Sequence, residues 1–268
     1  MKNEPTTNAL PIFVFDFDGV VCDSTNECMV TSWNAWECWQ ERDEFRRAVS
    51  EFSKLEQISF RALRPRVRGA GEYYILRRAL AEGISINDQV SYDQLVLAWQ
   101  EHLEPFGKTF FEMRNRLRCH DIGLWIDLHP VYQEVIDVMT CLHLQGRLYI
   151  ATLKDGESVR LILAKHGLVL PEDHLLDQSQ IISKVQALNK IRDQLGCDKT
   201  DLVFIDDNVT HLLEPHMSGY PVLMATWGPV FSEYLALAQQ EQIPILDSQT
   251  ALKQIVLENP NYLVMPSH

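Results

Sequence analysis

The chain has 268 residues, of which 46% are hydrophobic and 23% are charged. These values are ordinary for a globular protein, and the length suits one large or two modest domains with a buried core. The formal net charge of -13 at pH 7 argues against non-specific binding to nucleic acid or to anionic membranes, because both need a basic surface. A phosphorylated ligand stays compatible with this charge, since a metal ion and a small basic pocket can reverse the local field.

Cysteine usage and the N-terminal segment predict a cytoplasmic protein. The six cysteines form no C-x-x-C pair, which gives no support to a zinc or redox site and fits reduced thiols. The polar segment 1–8 lacks the apolar stretch of a signal peptide, and no apolar run approaches the length of a membrane span.

The first predicted element is a strand at 12–15, a short apolar run that ends at Asp16. A strand with no polar alternation is typical of a parallel sheet, in which both faces are buried. Ligands of open α/β sheets bind just beyond the carboxyl ends of such strands. Asp16 is therefore expected at a ligand-binding edge.

The segment 22–129 differs from the rest of the chain, because it has helical patterns and no convincing strand signal. It is too long for a single crossover connection, so we predict an inserted α-helical domain. Trp33, Trp36 and Trp39 recur there every three residues and line roughly one helix face. They are interpreted as a core stripe, or alternatively as a patch that faces substrate or a second subunit, which leaves a monomer or a homodimer open.

Strands and helices alternate after the insert, which predicts right-handed βαβ units. We therefore expect a doubly wound, Rossmann-like parallel sheet in an α/β core at 1–21 and 130–268. Each of the later predicted strands ends at or near a polar or acidic residue. The predicted helices are 131–144, 157–166 and 184–195, and the predicted strands are 148–151, 202–205 and 221–225.

The aspartates in Asp16-Phe17-Asp18-Gly19 are the first candidates for chemistry. Two carboxylates held close together repel each other unless a cation or a proton lies between them. Magnesium prefers such oxygen ligands and leaves room for water and a phosphate group. On its own, however, the pattern is more typical of a strand followed by an Asx turn.

Polar residues near other strand ends add to this pattern. Thr152 follows the second strand, and Asp206 and Asp207 follow the third. Each has an ordinary structural explanation as a turn or a helix cap. Lys184 begins a helical pattern, where a positive charge is less favourable than at the C-terminal end of a helix.

Taken in chain order, four segments resemble the four motifs of the haloacid dehalogenase superfamily. The resemblance spans nearly the whole chain and implies that 22–129 is a helical cap of the type found in the phosphoglycolate phosphatase-like branch. Closure of such a cap excludes water during a first half-reaction and admits it for the second. The segments are 15–21 (FDFDGVV), 150–154 (IATLK), 183–184 (SK) and 203–208 (VFIDDN).

The resemblance implies a Mg²⁺-dependent phosphatase that hydrolyses a small phosphorylated metabolite through an aspartyl-phosphate. Asp16 would be the nucleophile, and Asp18 would protonate the leaving alcohol and later deprotonate water. Thr152 would donate a hydrogen bond to the phosphoryl oxygens, and Lys184 would neutralise charge on the nucleophile and the phosphoryl group.

The same resemblance implies a ligand set for Mg²⁺. The carboxylates of Asp16 and Asp206 and the backbone carbonyl of Asp18 would hold the ion, with Asp207 close by. The usual glycine-aspartate form of the fourth motif is Asp-Asp in this chain, so either Asp206 or Asp207 could bind the metal directly.

Four further residues are candidates for substrate contact. Gly19 lies in the first motif, and Lys154 competes with Lys184 as the phosphate-facing amine, although the start of a helix favours Lys184. The segment 64–71 (RPRVRGAG) is either a solvated basic loop or a specificity loop. If it binds substrate, Arg66 or Arg68 is preferred over Arg64.

Two alternative functions stay open beside the phosphatase that the resemblance implies. A phosphomutase would return the phosphoryl group to a sugar, and a non-catalytic phosphate-binding or regulatory protein would keep only the fold. The intact set of motif residues argues against the latter. A dehalogenase is disfavoured, because its reaction has no leaving alcohol for Asp18 to protonate.

Overall fold

The structure is a computed structural model that describes residues 10–258. These residues form two compact units, a sheet unit at 10–23 and 131–258 and a helical unit at 24–130. Within the described part of the chain, no helix is long and apolar enough to cross a membrane. The segment 1–8, for which no signal peptide is predicted, lies outside the described residues.

The helical unit contains helices and short 3₁₀ turns, without a strand among its residues. The three tryptophans that recur in the sequence lie in α1 and contact other aromatic rings of the unit. The ring centroids of Trp36 and Trp39 are 5.8 and 5.7 Å from that of Tyr74, and Trp33 is 6.0 Å from Phe52. The helices are α1 (Thr25–Trp39), α2 (Lys54–Leu63), α3 (Tyr73–Glu82), α4 (Gln89–Ala98), α5 (Gln100–His120) and α6 (Ile122–Asp127).

The sheet unit has six parallel strands in the order β3-β2-β1-β4-β5-β6. Phe13 in the central strand lies opposite Leu148 on one side and Val203 on the other. The predicted α/β fold with a parallel sheet is confirmed, and two strands of two residues each were not predicted. The strands are β1 (Ile12–Phe15), β2 (Leu148–Ala151), β3 (Leu175–Leu176), β4 (Leu202–Asp206), β5 (Val222–Ala225) and β6 (Ile245–Leu246).

Helices cover both faces of the sheet, so consecutive residues of the central strands are buried. Phe13, Val14 and Phe15 have no exposed surface, and Val14 belongs to a core cluster with Leu188 and Leu212 from two helices. The order of the strands thus brings the carboxyl ends of β2, β1 and β4 side by side. The helices are α7 (Gln133–Leu144), α8 (Gly156–Lys165), α9 (Lys184–Leu195), α10 (Val209–Met217), α11 (Ser232–Gln240) and α12 (Gln249–Lys253).

Candidate active site

The ammonium group of Lys184 lies between two buried carboxylates at the carboxyl edge of the sheet. Its Nζ donates to Asp16 Oδ1 at 2.6 Å and is 3.2 Å from Asp206 Oδ2. A further hydrogen bond runs from Nζ to the carbonyl oxygen of Ala151 at 2.9 Å. Asp16 follows β1, Asp206 ends β4 and Ala151 ends β2, so three adjacent strands hold the same amine.

The sequence places Lys184 at the first position of α9, where the helix dipole disfavours a positive charge. The preceding Ser183 caps the helix by accepting a hydrogen bond from the backbone N–H of Gln186 at 3.3 Å. The helix therefore begins at a defined residue, and the lysine side chain reaches across the ends of the strands. The two carboxylates compensate the charge that the helix terminus disfavours.

The two carboxyl groups differ in their electrostatic environment. Burial raises the pKa of Asp16, and the negative charge of Asp206 adds to that rise against the attraction of Lys184. Burial also acts to raise the pKa of Asp206, but Lys184, His211 and the backbone N–H of Asn208 outweigh it and lower the pKa to about 2. Burial acts to lower the pKa of Lys184, but the two carboxylates outweigh it and raise that pKa.

His211 is a site residue that the sequence analysis missed. Its Nδ1 is 3.3 Å from Asp206 Oδ2, and Asp16, Asp206 and His211 each offer a ligand atom within 4.8 Å of the others. His211 lies in the first turn of α10, which Asn208 caps through the backbone N–H of Thr210. A histidine in the first turn after a strand-end aspartate is the signal that could have identified it.

The donor set at this edge fits a divalent cation. Two buried carboxylates share one ammonium group, and Oδ2 of Asp16 has no hydrogen-bond partner within residues 10–258. Oxygen ligands with excess negative charge are the environment that Mg²⁺ prefers. Asp207 lies close by, because its carboxylate packs against Gly19 where a side chain would otherwise be. Both Asp206 and Asp207 therefore stay candidates as metal ligands.

Lys154 pairs with Asp18 rather than with Asp16. Its Nζ is 3.1 Å from Asp18 Oδ1, and the amine is buried while the Asp18 side chain is 23% exposed. The backbone N–H of Lys154 donates to Thr152 Oγ1 at 3.1 Å, which fixes the turn after β2. The structure thus places the two candidate lysines on different aspartates, with Lys184 at the predicted nucleophile.

The two arginines predicted to contact substrate lie in the helical unit. Arg66 is buried, and its Nη2 is 3.5 Å from the carbonyl oxygen of Asn87. Arg68 forms ion pairs with Glu72 at 3.0 Å and with Asp93 at 2.9 Å. Binding of a substrate anion by Arg68 would compete with these pairs, and the role of both arginines stays a prediction.

Replacement of Asp16 by Asn is expected to raise the Tm of the metal-free protein at pH 7. Because the folded-state pKa of Asp16 is raised, its ionised form opposes folding once the pH exceeds the usual carboxyl value. Below that value the group is protonated in both states, so the difference in Tm should shrink. Thermal unfolding in EDTA between pH 4 and pH 8 tests this, with the exposed Asp193→Asn as the control. A variant that is less stable than wild type at neutral pH would contradict it.

We compared the chain with protein-family models and with curated proteins. The sequence model of the haloacid dehalogenase-like hydrolase family matches residues 10–213. No curated protein is significantly similar to this chain in sequence.

Solved structures with low sequence identity share the fold. A predicted phosphoglycolate phosphatase from Haemophilus somnus is 15% identical, with a TM-score of 0.60 over 92% of this chain and 97% of that chain. A predicted phosphatase from Clostridium acetobutylicum is 15% identical, with a TM-score of 0.60 over 93% and 100%. A haloacid dehalogenase-like family hydrolase from Streptococcus pneumoniae is 14% identical, with a TM-score of 0.57 over 91% and 97%. At these identities the similarity establishes the fold.

Proposed function

The chain belongs to the haloacid dehalogenase-like hydrolase family, and from this premise we propose that it is a Mg²⁺-dependent phosphatase of a small phosphomonoester. The observation that carries the proposal is the amine of Lys184 between Asp16 and Asp206 at the carboxyl edge of the sheet. This arrangement suits an anionic substrate, because catalysis of phosphoryl transfer is mostly positioning and charge stabilisation. The similar structures from H. somnus and C. acetobutylicum, both predicted phosphatases, support the substrate class.

In the first step, one oxygen of the Asp16 carboxylate attacks phosphorus, while the carboxylate keeps its contact with Lys184. A bond forms between Asp16 and phosphorus, the bond between phosphorus and the ester oxygen breaks, and Asp18 gives its proton to that oxygen. The products are an aspartyl-phosphate and a free alcohol. Lys184 stabilises the charge that develops on the phosphoryl oxygens.

In the second step, water attacks phosphorus of the aspartyl-phosphate and Asp18 accepts its proton. The bond between phosphorus and Asp16 breaks, which restores the carboxylate and releases inorganic phosphate. Asp16, the backbone carbonyl of Asp18, and Asp206 or Asp207 would hold Mg²⁺, which would supply charge neutralisation at the phosphoryl group. Thr152 would donate a hydrogen bond to a phosphoryl oxygen from the turn after β2.

Release of inorganic phosphate from a panel of phosphomonoesters tests the proposal. The panel should contain phosphoglycolate, sugar phosphates, and alkyl and aryl phosphates, each assayed with Mg²⁺ and with EDTA. We expect phosphate release that requires Mg²⁺ and that favours one class of ester. Conversion of a sugar phosphate to its isomer without phosphate release would indicate the phosphomutase alternative. Absence of turnover in a folded protein that binds Mg²⁺ would indicate a binding protein.

A further inference from the structure

The loop that follows β5 contacts the turn that carries Asp18. The indole Nε1–H of Trp227 donates a hydrogen bond to the carbonyl oxygen of Val20 at 3.0 Å. The next residue, Gly228, lies directly against Gly19, since a Cβ on Gly228 would be 2.6 Å from the Gly19 carbonyl oxygen. Both contacts lie within the sheet unit, and they join the first motif to a part of the chain that none of the four motifs includes.

The turn itself is tight and depends on glycine. Gly19 has a φ of +84°, a conformation that residues with a side chain rarely adopt. Its N–H donates to the carbonyl oxygen of Cys22 at 2.8 Å, and the N–H of Val21 donates to that of Phe17 at 2.8 Å. The carbonyl groups of Gly19 and Val20 are therefore the parts of the turn that face the loop after β5.

Gly19 is held from two sides, each supplied by a different strand. The carboxylate of Asp207, next to the end of β4, occupies the place of a side chain on Gly19, and Gly228 covers its carbonyl group. Gly19 is bonded directly to Asp18, so a shift of its backbone also moves the Asp18 carboxylate. A displacement of about 1 Å at a reacting group can lower a rate by about 10²-fold.

We infer that Trp227 and Gly228 are positioning residues for Asp18. They hold the turn so that the carboxyl group of Asp18 meets the ester oxygen of the leaving alcohol. The inference rests on the proposed function, in which Asp18 is the acid of the first step. Trp227 touches no reacting atom in this proposal and acts only through the Val20 carbonyl. A turn supported only by its own hydrogen bonds would sample more orientations, whereas this turn is held by a loop that follows β5, a strand whose four residues are all buried.

Dependence on the leaving group separates this role from a general structural one. An alkyl phosphate needs a proton from Asp18 as its alcohol leaves, whereas the p-nitrophenolate of p-nitrophenyl phosphate leaves without one. The parameter kcat/KM reports the steps up to formation of the aspartyl-phosphate, so it isolates the acid role. For Trp227→Phe, which removes the N–H and keeps an aromatic ring, we expect kcat/KM to fall about 10-fold or more on the alkyl ester and less than about 3-fold on the aryl ester.

Two further variants and one control complete the experiment. Gly228→Ala, which pushes a methyl group against the Gly19 carbonyl, should change the ratio of alkyl to aryl activity in the same direction. Asp18→Asn should show the largest change, and Trp99→Phe, a half-buried tryptophan of the helical unit, should show none. Equal losses on both esters in Trp227→Phe and Gly228→Ala would overturn the inference and leave the proposed function intact. The two esters are taken from those of the panel that the wild type hydrolyses. A wild type that hydrolyses no ester of the panel would overturn the proposed function itself, and the inference with it.

Discussion

Asp16→Asn is expected to lower kcat for phosphomonoester hydrolysis by about 10⁴-fold or more, because the amide cannot attack phosphorus. The substitution preserves the size of the side chain, and Lys184 can still donate to the amide oxygen at the position of Oδ1. Loss of activity would therefore come from chemistry rather than from collapse of the site. Thermal unfolding of the same variant without metal checks that the protein stays folded, since we expect its Tm to rise.

A chemical trap identifies the residue that carries the phosphoryl group. After acid quenching during turnover, borohydride reduces an aspartyl-phosphate to homoserine, and peptide mass spectrometry should find this conversion at position 16 in the wild type. Asp193→Asn, an exposed aspartate on α9 of the sheet unit, should keep full activity and the same trapped residue. Retention of wild-type kcat in Asp16→Asn, or homoserine at another aspartate, would rule out Asp16 as the nucleophile.

Arg114→Met should lower the free energy of unfolding by about 3–5 kcal/mol, the largest expected effect on stability, because it removes the guanidinium charge that pairs with a buried carboxylate. Arg114 in α5 forms a bidentate ion pair with Glu27 in α1, with distances of 2.8 Å from Nε to Oε1 and 2.9 Å from Nη2 to Oε2. The Glu27 side chain has no exposed surface and that of Arg114 is 5% exposed. Thr31 Oγ1 donates to the same carboxylate at 2.6 Å.

Urea unfolding at pH 7 measures the effect, and a second substitution separates the ion pair from packing. The double variant Glu27→Leu/Arg114→Met removes both charges and should recover much of the lost stability, as buried pairs replaced by apolar residues commonly do. Lys108→Met, which breaks the exposed pair between Lys108 and Glu104, should leave the midpoint nearly unchanged. An Arg114→Met midpoint as high as that of Lys108→Met would show that the buried pair contributes little.

The local sequence pattern was sufficient to predict the strands of four residues or more in the sheet unit, but not the strands of two residues. The strand at 12–15 and the helix at 184–195 agree with the structure at both ends, because an apolar run and a capped, amphipathic period specify them. The strands β3 and β6 have two residues each, which is too short for any periodicity to be visible. They form because neighbouring strands β2 and β5 offer free edges for pairing.

The amino-acid sequence by itself determined the fold class and the family, since strand runs, helical periods and motif order are local properties of the chain. It also indicated which residue types gather at the carboxyl edge of the sheet. The resemblance already implied that Lys184 neutralises Asp16. Only the tertiary structure decided the other pairs, which are Lys184 with Asp206, Lys154 with Asp18, and His211 with Asp206. The pairing of Lys184 with Asp16 spans 168 positions and that of Trp227 with Val20 spans 207, and no local pattern encodes which distant partners meet. The order of the strands decides it, because it places the carboxyl ends of β2, β1, β4 and β5 side by side at one edge of the sheet.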